Sequence, residues 1–256
     1  MNTLSSSTST ALPLAGKTAF VTGGSRGIGA AIVRRLARDG AAVAFTYRGS
    51  PEQAQALAKA VDAEGGRALA LAADAADPAA VRRALAMATD AHGPIDILVN
   101  NAGVLLLGSV ETFTLEDFDR TWDVNVRAVF VASQAALPRM NDGGRIVNIG
   151  SVNGDRMPFP GGAAYAMSKS ALQGLVRGMA RDLGPRRITV NNVQPGPTDT
   201  DMNPEKADFG KSLHDLMALQ RHAHPDEIAG MVAYLAGPDA GFVTGANLTI
   251  DGGFGA

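Results

Sequence analysis

From Lys17 to Thr22 the residues Ala19-Phe20-Val21 form a short apolar run, which reads as a buried parallel strand. Gly23-Gly24-Ser25-Arg26-Gly27-Ile28-Gly29 comes immediately after it. Ala30 to Asp39 then places Ile32, Val33 and Leu36 on one helical face and stops at Gly40. Strand, glycine turn and helix in immediate succession leave few choices. Glycines permit a tight turn and close backbone approach to a ligand, and the free N–H groups and dipole of a helix N-terminus attract phosphate. A glycine-rich loop holding nothing would satisfy the same pattern.

The alternation continues. Ala42 to Tyr47 predicts a second strand, and Ser50-Pro51-Glu52-Gln53 predicts a helix start with a capping box and Pro in its first turn. Arg67 to Ala72 gives a third strand, Asp77-Pro78 caps the next helix, and Ile95 to Val99 gives a fourth strand ending in Asn100-Asn101-Ala102-Gly103. Thr114 and Asp117 frame another capping box, opening one long helix that runs toward Pro138 and carries Asn125. Arg145 to Ile149 is strand five, ending at Ser151; the next helix runs from about Ala164 to Leu183. Ile188 to Val193 is strand six, closed by Pro195-Gly196; a helix around Asp226 to Leu235 and a strand from Asn247 to Ile250 complete the order. Such units need right-handed crossovers and give a parallel sheet with helices on both faces. The predicted fold is α/β, a doubly wound Rossmann-type sandwich of about seven strands. The segment 198–224 breaks the alternation; it carries Met202, Phe209, Leu213, Leu216 and Met217, and its place at a strand end predicts a cover over a ligand crevice.

Composition narrows the function classes. The 256 residues are 46% hydrophobic and 19% charged, enough apolar material for one large core, and nothing marks a second domain after residue 14. A net charge of −2 gives no general polyanion-binding surface, so nucleic acid is not an expected partner. The sequence has no cysteine, which removes disulfides, thiolate metal sites and Cys nucleophiles. No apolar run approaches a membrane span. Met1 to Thr10 is Ser/Thr-rich without a basic start and leads to Ala11-Leu12-Pro13-Leu14, so residues 1–13 read as a disordered tail rather than a signal peptide, and a cytoplasmic address is expected.

Tyr165 and Lys169 lie four residues apart and stack on one helix face, where an ammonium favours ionisation of a phenol. At about 4 Å and an effective dielectric near 20 the attraction is about 4 kcal/mol, an upper bound that would bring a phenol from about pH 10 toward neutrality. Taken with Thr22-Gly23-Gly24-Ser25-Arg26-Gly27-Ile28-Gly29, Asn100-Asn101-Ala102-Gly103, Asn125, Ser151 and Pro195-Gly196, the pair resembles the short-chain dehydrogenase/reductase family in order and rough spacing. The likeness covers nearly the whole chain after the tail. It implies a catalytic group of Asn125, Ser151, Tyr165 and Lys169, with Lys169 also on the nicotinamide ribose and Asn125 holding a water in a proton relay. It implies dinucleotide contacts from Gly23, Ser25, Arg26, Gly27, Ile28 and Gly29, from Tyr47 and Arg48, from Asp74 toward the adenine, from Asn101, Ala102 and Gly103, and from Pro195, Gly196, Thr198 and Thr200. Ser151 stands slightly farther from Tyr165 than is usual in the family, with Met157-Pro158-Phe159-Pro160-Gly161-Gly162 between.

Charge bears on cofactor choice. Selection of NAD commonly uses a carboxylate after the second strand, whereas a 2′-phosphate calls for Arg. Here Thr46-Tyr47-Arg48-Gly49-Ser50 holds no acid and Arg26 sits in the glycine turn, which favours NADP(H); solvated surface arginines are the alternative. His92, His214, His222 and His224 show no metal-ligand spacing, and no metal is expected. Leu105, Leu106 and Leu107 could line a pocket or belong to the core.

The expected activity is reduction of a carbonyl, most simply of the 3-oxoacyl-thioester type, or oxidation of the corresponding alcohol. A second expectation comes from Ile149 to Pro158, Val193-Gln194-Pro195-Gly196-Pro197 with Asp199-Thr200-Asp201, and the ending Ile250 to Ala256, which look like a member of the same family that binds cyclic di-GMP. For that dianion Arg26, Arg48 and Arg156 are available cations. The family resemblance also implies a homo-oligomer, a dimer through the Asn125 and Tyr165 helices or a homotetramer through the last strand; Ala171, Leu172, Gly174, Leu175 and Val176 would suit close helix packing or an internal core equally.

Overall fold

The computed structural model describes residues 12–256, so most of the expected tail, 1–11, lies outside the described residues. Pro13 already belongs to a turn whose Leu14 is buried and donates its N–H to the Asp39 carbonyl at 2.8 Å. Beyond it come seven parallel strands in the order β3-β2-β1-β4-β5-β6-β7: β1 Thr18–Val21, β2 Ala42–Tyr47, β3 Arg67–Ala72, β4 Ile95–Asn100, β5 Met140–Ile149, β6 Thr189–Pro195 and β7 Asn247–Ile250. The helices are α1 Gly27–Arg38, α2 Pro51–Ala63, α3 Pro78–His92, α4 Leu115–Trp122, α5 Ala128–Ala136, α6 Ala163–Leu183, α7 Asp208–Ser212 and α8 Pro225–Ala236.

Strand residues alternate between two cores. Ala19, Val21, Val43, Phe45, Ile97 and Val99 pack with Ile32 and Leu36 of α1, Leu57 of α2 and Ile228 and Val232 of α8. Their neighbours Phe20, Ala44 and Leu98 pack on the other face with Leu85 of α3, Val131 of α5 and Val176 of α6. Burial on both faces explains why the strands read as continuous apolar runs. Each fully buried Phe or Leu contributes about 1.5–3 kcal/mol relative to exposure.

Strand order reverses between β1 and β4, and the crevice at their carboxyl ends is the topological switch point of the sheet. Two sequence expectations fail locally. The Ser50 side chain does not cap α2, which begins with Pro51 regardless. The long helix expected after Thr114 is not continuous either, because Asp123–Arg127 forms a π-helical turn between α4 and α5. One extra residue in that turn rotates α5 relative to α4, and such turns recur at functional sites.

Candidate active site

The glycine turn and the Asn-Asn-Ala-Gly turn meet across the switch point. Thr22 Oγ1 accepts from the backbone N–H of Asn101 at 3.0 Å and of Ala102 at 3.1 Å, and the Asn101 side-chain amide donates to the carbonyls of Thr22 and Gly23. A Cβ on Gly29 would stand 2.2 Å from the Gly23 carbonyl oxygen, and one on Gly23, at φ +66, 2.9 Å from the Ala102 Cα. Only glycine fits this contact. The N-terminus of α1 has no side-chain cap and no acid in its first turn, so its N–H groups and dipole stay available to an anion.

A cavity of about 720 Å³ runs from there across the carboxyl ends of the strands, within the usual range for cofactor sites of ~300–1,000 Å³. Its wall includes Gly23, Ser25, Arg26, Gly27, Ile28 and Gly29, then Tyr47, Arg48 and Asp74, then Asn101, Ala102 and Gly103, and on the far side Pro195, Gly196, Thr198 and Thr200. Ser151, Tyr165 and Lys169 line the same cavity; Asn125 does not. Asn125 is 1% exposed, and from the π turn its amide accepts from Val104 N–H at 2.9 Å and donates to the Val104 carbonyl and to Ser168 Oγ, both at 3.0 Å. It fastens the chain after Gly103 to the Tyr165 helix.

The Lys169 ammonium, 5% exposed, donates to the Ile149 carbonyl at 2.9 Å and lies 5.8 Å from the centre of the Tyr165 ring. Burial pushes it down to about 8. The expectation that Lys169 would bring the phenol toward neutrality is corrected here. Tyr165 keeps part of its surface on the cavity, yet burial raises its phenol above the ordinary value, with only the Ser151 hydroxyl pulling the other way. Desolvation of the phenolate outweighs an ammonium that is itself desolvated and engaged with a carbonyl. Ser151, at the end of β5, accepts from the Asn153 N–H at 3.1 Å, which fixes the turn that carries it.

Arg26 and Arg48 on the wall are each paired at long or exposed contacts. Arg48 Nε lies 3.1 Å from Asp74, which Arg120 also approaches at 3.5 Å, and Arg26 lies 3.6 Å from Asp201. Such pairs contribute about 0–1 kcal/mol each, so an entering phosphate can displace them. Arg156 is not on the wall: it donates to the carbonyls of Phe254 and Ala256 and sits over the Phe254 ring, which corrects the expectation that it is a free cation for a dianionic ligand. Sequence reasoning missed Arg120 on the wall, and nothing in its local pattern marks it; Asn153 and Phe254 lie in two of the segments that resemble a cyclic-di-GMP-binding family member, but that likeness does not itself assign them to the wall. Leu105 reaches the wall, while Leu107 is exposed, so this run is not core.

The covering segment is pinned at its base, with Thr198 bridged to Ala223, and Leu213 and Met217 are buried with Val152 and Phe254. Above them Phe209 meets Phe159, from the loop before Tyr165, edge to face at 5.3 Å. This end of the cavity therefore has an aromatic wall. No described helix is long and apolar enough to cross a membrane. Among the histidines, His224 caps α8, whereas His214 and His222 meet each other and Glu205 in the covering segment.

Residues 23–255 match the family described as enoyl-(acyl carrier protein) reductase. The chain is 54% identical over 241 residues to the cyclic-di-GMP-binding biofilm dispersal mediator protein of Escherichia coli K12, covering 94% of this chain and 98% of that protein. A short-chain dehydrogenase/reductase from Serratia marcescens BCRC 10948 superposes with a TM-score of 0.94 at 63% identity, covering 95% of this chain and 100% of that one. A short-chain dehydrogenase from Burkholderia cenocepacia J2315, solved in complex with NADP, superposes with a TM-score of 0.94 at 53% identity over the same shares. With the glycine turn, the Asn-Asn-Ala-Gly turn and the Tyr165 helix arranged around one cavity, the chain belongs to the short-chain dehydrogenase/reductase family.

Proposed function

We propose that the chain is an NADP(H)-dependent oxidoreductase that moves hydride between nicotinamide and a carbonyl or alcohol, with Tyr165 as general acid and base. The observation that carries this reading is that Tyr165, Ser151 and Lys169 share a cavity with the uncapped N-terminus of α1 and with Arg26 and Arg48. Bound NADPH would supply the hydride. As negative charge develops on the carbonyl oxygen, the Tyr165 phenol, kept protonated by burial, donates its proton, and the Ser151 hydroxyl offers a second hydrogen bond to the same oxygen. Lys169 holds positive charge beneath the ring. Asn125 is a positioning residue, since it touches the cavity wall through Val104 and the Tyr165 helix through Ser168. Arg26 and Arg48, with no acid in Tyr47-Arg48-Gly49-Ser50, support the 2′-phosphate, and the relative solved with NADP agrees.

The Phe159–Phe209 contact favours substrates with an apolar or aromatic body beside the carbonyl. A substrate panel of 3-oxoacyl thioesters, aryl ketones and their alcohols, run with NADPH and NADH, tests the reading; no turnover of any member with either cofactor would overturn it. The second reading, a cyclic-di-GMP-binding regulator on the same scaffold, is favoured by the Escherichia coli relative. It predicts micromolar binding of cyclic di-GMP that NADPH displaces, and it fails if only NADPH binds.

A homo-oligomer fits the surface. Trp122, Phe130 and Met167 are exposed on α4, α5 and α6, and Gly174 and Gly178 leave open space along α6. Leu172 and Val176, by contrast, are core residues. Phe242, which precedes β7 in the chain, and Tyr234 of α8 are exposed, and a second interface through β7 would make a tetramer. A cysteine-free chain of this family fits the cytoplasm.

A further inference from the structure

We propose that Glu205, His214 and His222 form a site for one divalent ion of the zinc class, which fastens the covering segment of the cavity. One donor atom from each residue lies within 4.8 Å of the other two. His214 Nε2 is 3.2 Å from His222 Nδ1 and 3.5 Å from Glu205 Oε1. Zinc bonds to nitrogen and oxygen of about 2.0–2.1 Å imply donor-to-donor edges of about 3.3 Å in a tetrahedron, so the side chains already stand near coordinating separation. Two imidazoles and one carboxylate, with a fourth position left for water, match zinc's ligand preference.

Proton accounting points the same way. The three atoms that converge all carry lone pairs, and a neutral imidazole pair has one proton to share along the His214–His222 contact. The approach of Glu205 to the same His214 nitrogen then lacks a hydrogen, and a bound cation satisfies all three atoms together. The surroundings hold the ligands in place. Glu205 Oε1 also accepts from the His222 backbone N–H at 3.0 Å, and the Glu205 N–H donates to Asp199 Oδ1 at 2.9 Å. The Asn203 amide nitrogen lies 3.1 Å from His222 Nε2; on metal binding the amide would turn over so that its oxygen accepts from Nε2–H and Nδ1 is left to ligate, the outer-shell arrangement common to metal-bound histidine. His222 is 3% exposed, so its ring is held within the fold rather than free in solvent. The ligands span 205–222, and Phe209 and Leu213 of the cavity wall lie between them.

The test uses untagged full-length protein stripped with a chelator, titrated with Zn²⁺ against a chromophoric competitor and, separately, with Co²⁺ for its tetrahedral visible spectrum. Wild type should take up one ion per chain. His214→Gln and Glu205→Gln, at part-exposed positions that spare the core, should each weaken affinity by on the order of 100-fold or more, while His224→Gln should leave it unchanged. Zn²⁺ should also slow tryptic cleavage at the exposed Lys206 and Lys211 by more than about tenfold in wild type and not in His214→Gln. Absence of stoichiometric binding by wild type, equal binding by His214→Gln, or cleavage indifferent to Zn²⁺ would each overturn the proposal.

Discussion

Lys169 donates its ammonium to the Ile149 carbonyl at 2.9 Å, and that bond holds a buried charge at the end of β5 under the Tyr165 helix. The charge costs stability. Its pKa falls from 10.5 to about 8 on folding, so between those values the unfolded chain binds a proton that the folded chain has released, and stability rises with pH across that window. Below about pH 8 the full penalty of about 3 kcal/mol is present. Lys169→Met forfeits a hydrogen bond of about 1 kcal/mol, so the variant should be about 2 kcal/mol more stable at pH 7 and lose that advantage above pH 10.5. Urea unfolding at several pH values checks this.

Asn125 fixes Val104 through both its amide groups and reaches Ser168 on α6. Asn125→Ala leaves the Val104 N–H and carbonyl without these partners and should destabilise the fold by about 2–4 kcal/mol. Urea denaturation gives the number. Cofactor affinity should fall with it, because Gly103 precedes the freed segment.

Much of this architecture is legible in the sequence, and the exceptions have physical causes. Strands buried on both faces read directly as Ala19-Phe20-Val21 or Ile97-Leu98-Val99, and the glycines of the turn announce themselves because a Cβ has no room. The π turn at Asn125 is not legible, since the apolar pattern of a long helix does not register one extra residue. Arg120 meets Asp74 only because α4 passes the end of β3, and Glu205, His214 and His222 meet only because the covering segment folds back on itself. Tertiary juxtaposition leaves no local spacing to find. The raised pKa of the Tyr165 phenol is hidden for a related reason: spacing supplies the ammonium but not the desolvation that outweighs it.

Arg48 stands beside Asp74 at the cavity wall. Arg48→Ala should lower kcat/KM with NADPH by roughly 10–100-fold, the loss of one charge-assisted contact to phosphate, and change the NADH value little. Steady-state kinetics with both cofactors measure the ratio. An equal loss with each cofactor would place Arg48 outside the 2′-phosphate site.

Phe130 is 51% exposed on α5, and Gly174 and Gly178 leave open space along α6. If that face joins two copies, Phe130→Glu should shift sedimentation velocity from the oligomer to a smaller species without loss of helical signal. A wild-type monomer would remove the interface.

Delivery of the proton by Tyr165 during hydride transfer is tested most directly by one comparison. With a carbonyl substrate identified from the panel, Tyr165→Phe should lower kcat by about 10²–10⁴-fold while NADPH binding, measured by fluorescence titration, stays within a few-fold of wild type. Turnover retained at the wild-type rate in Tyr165→Phe would contradict the account.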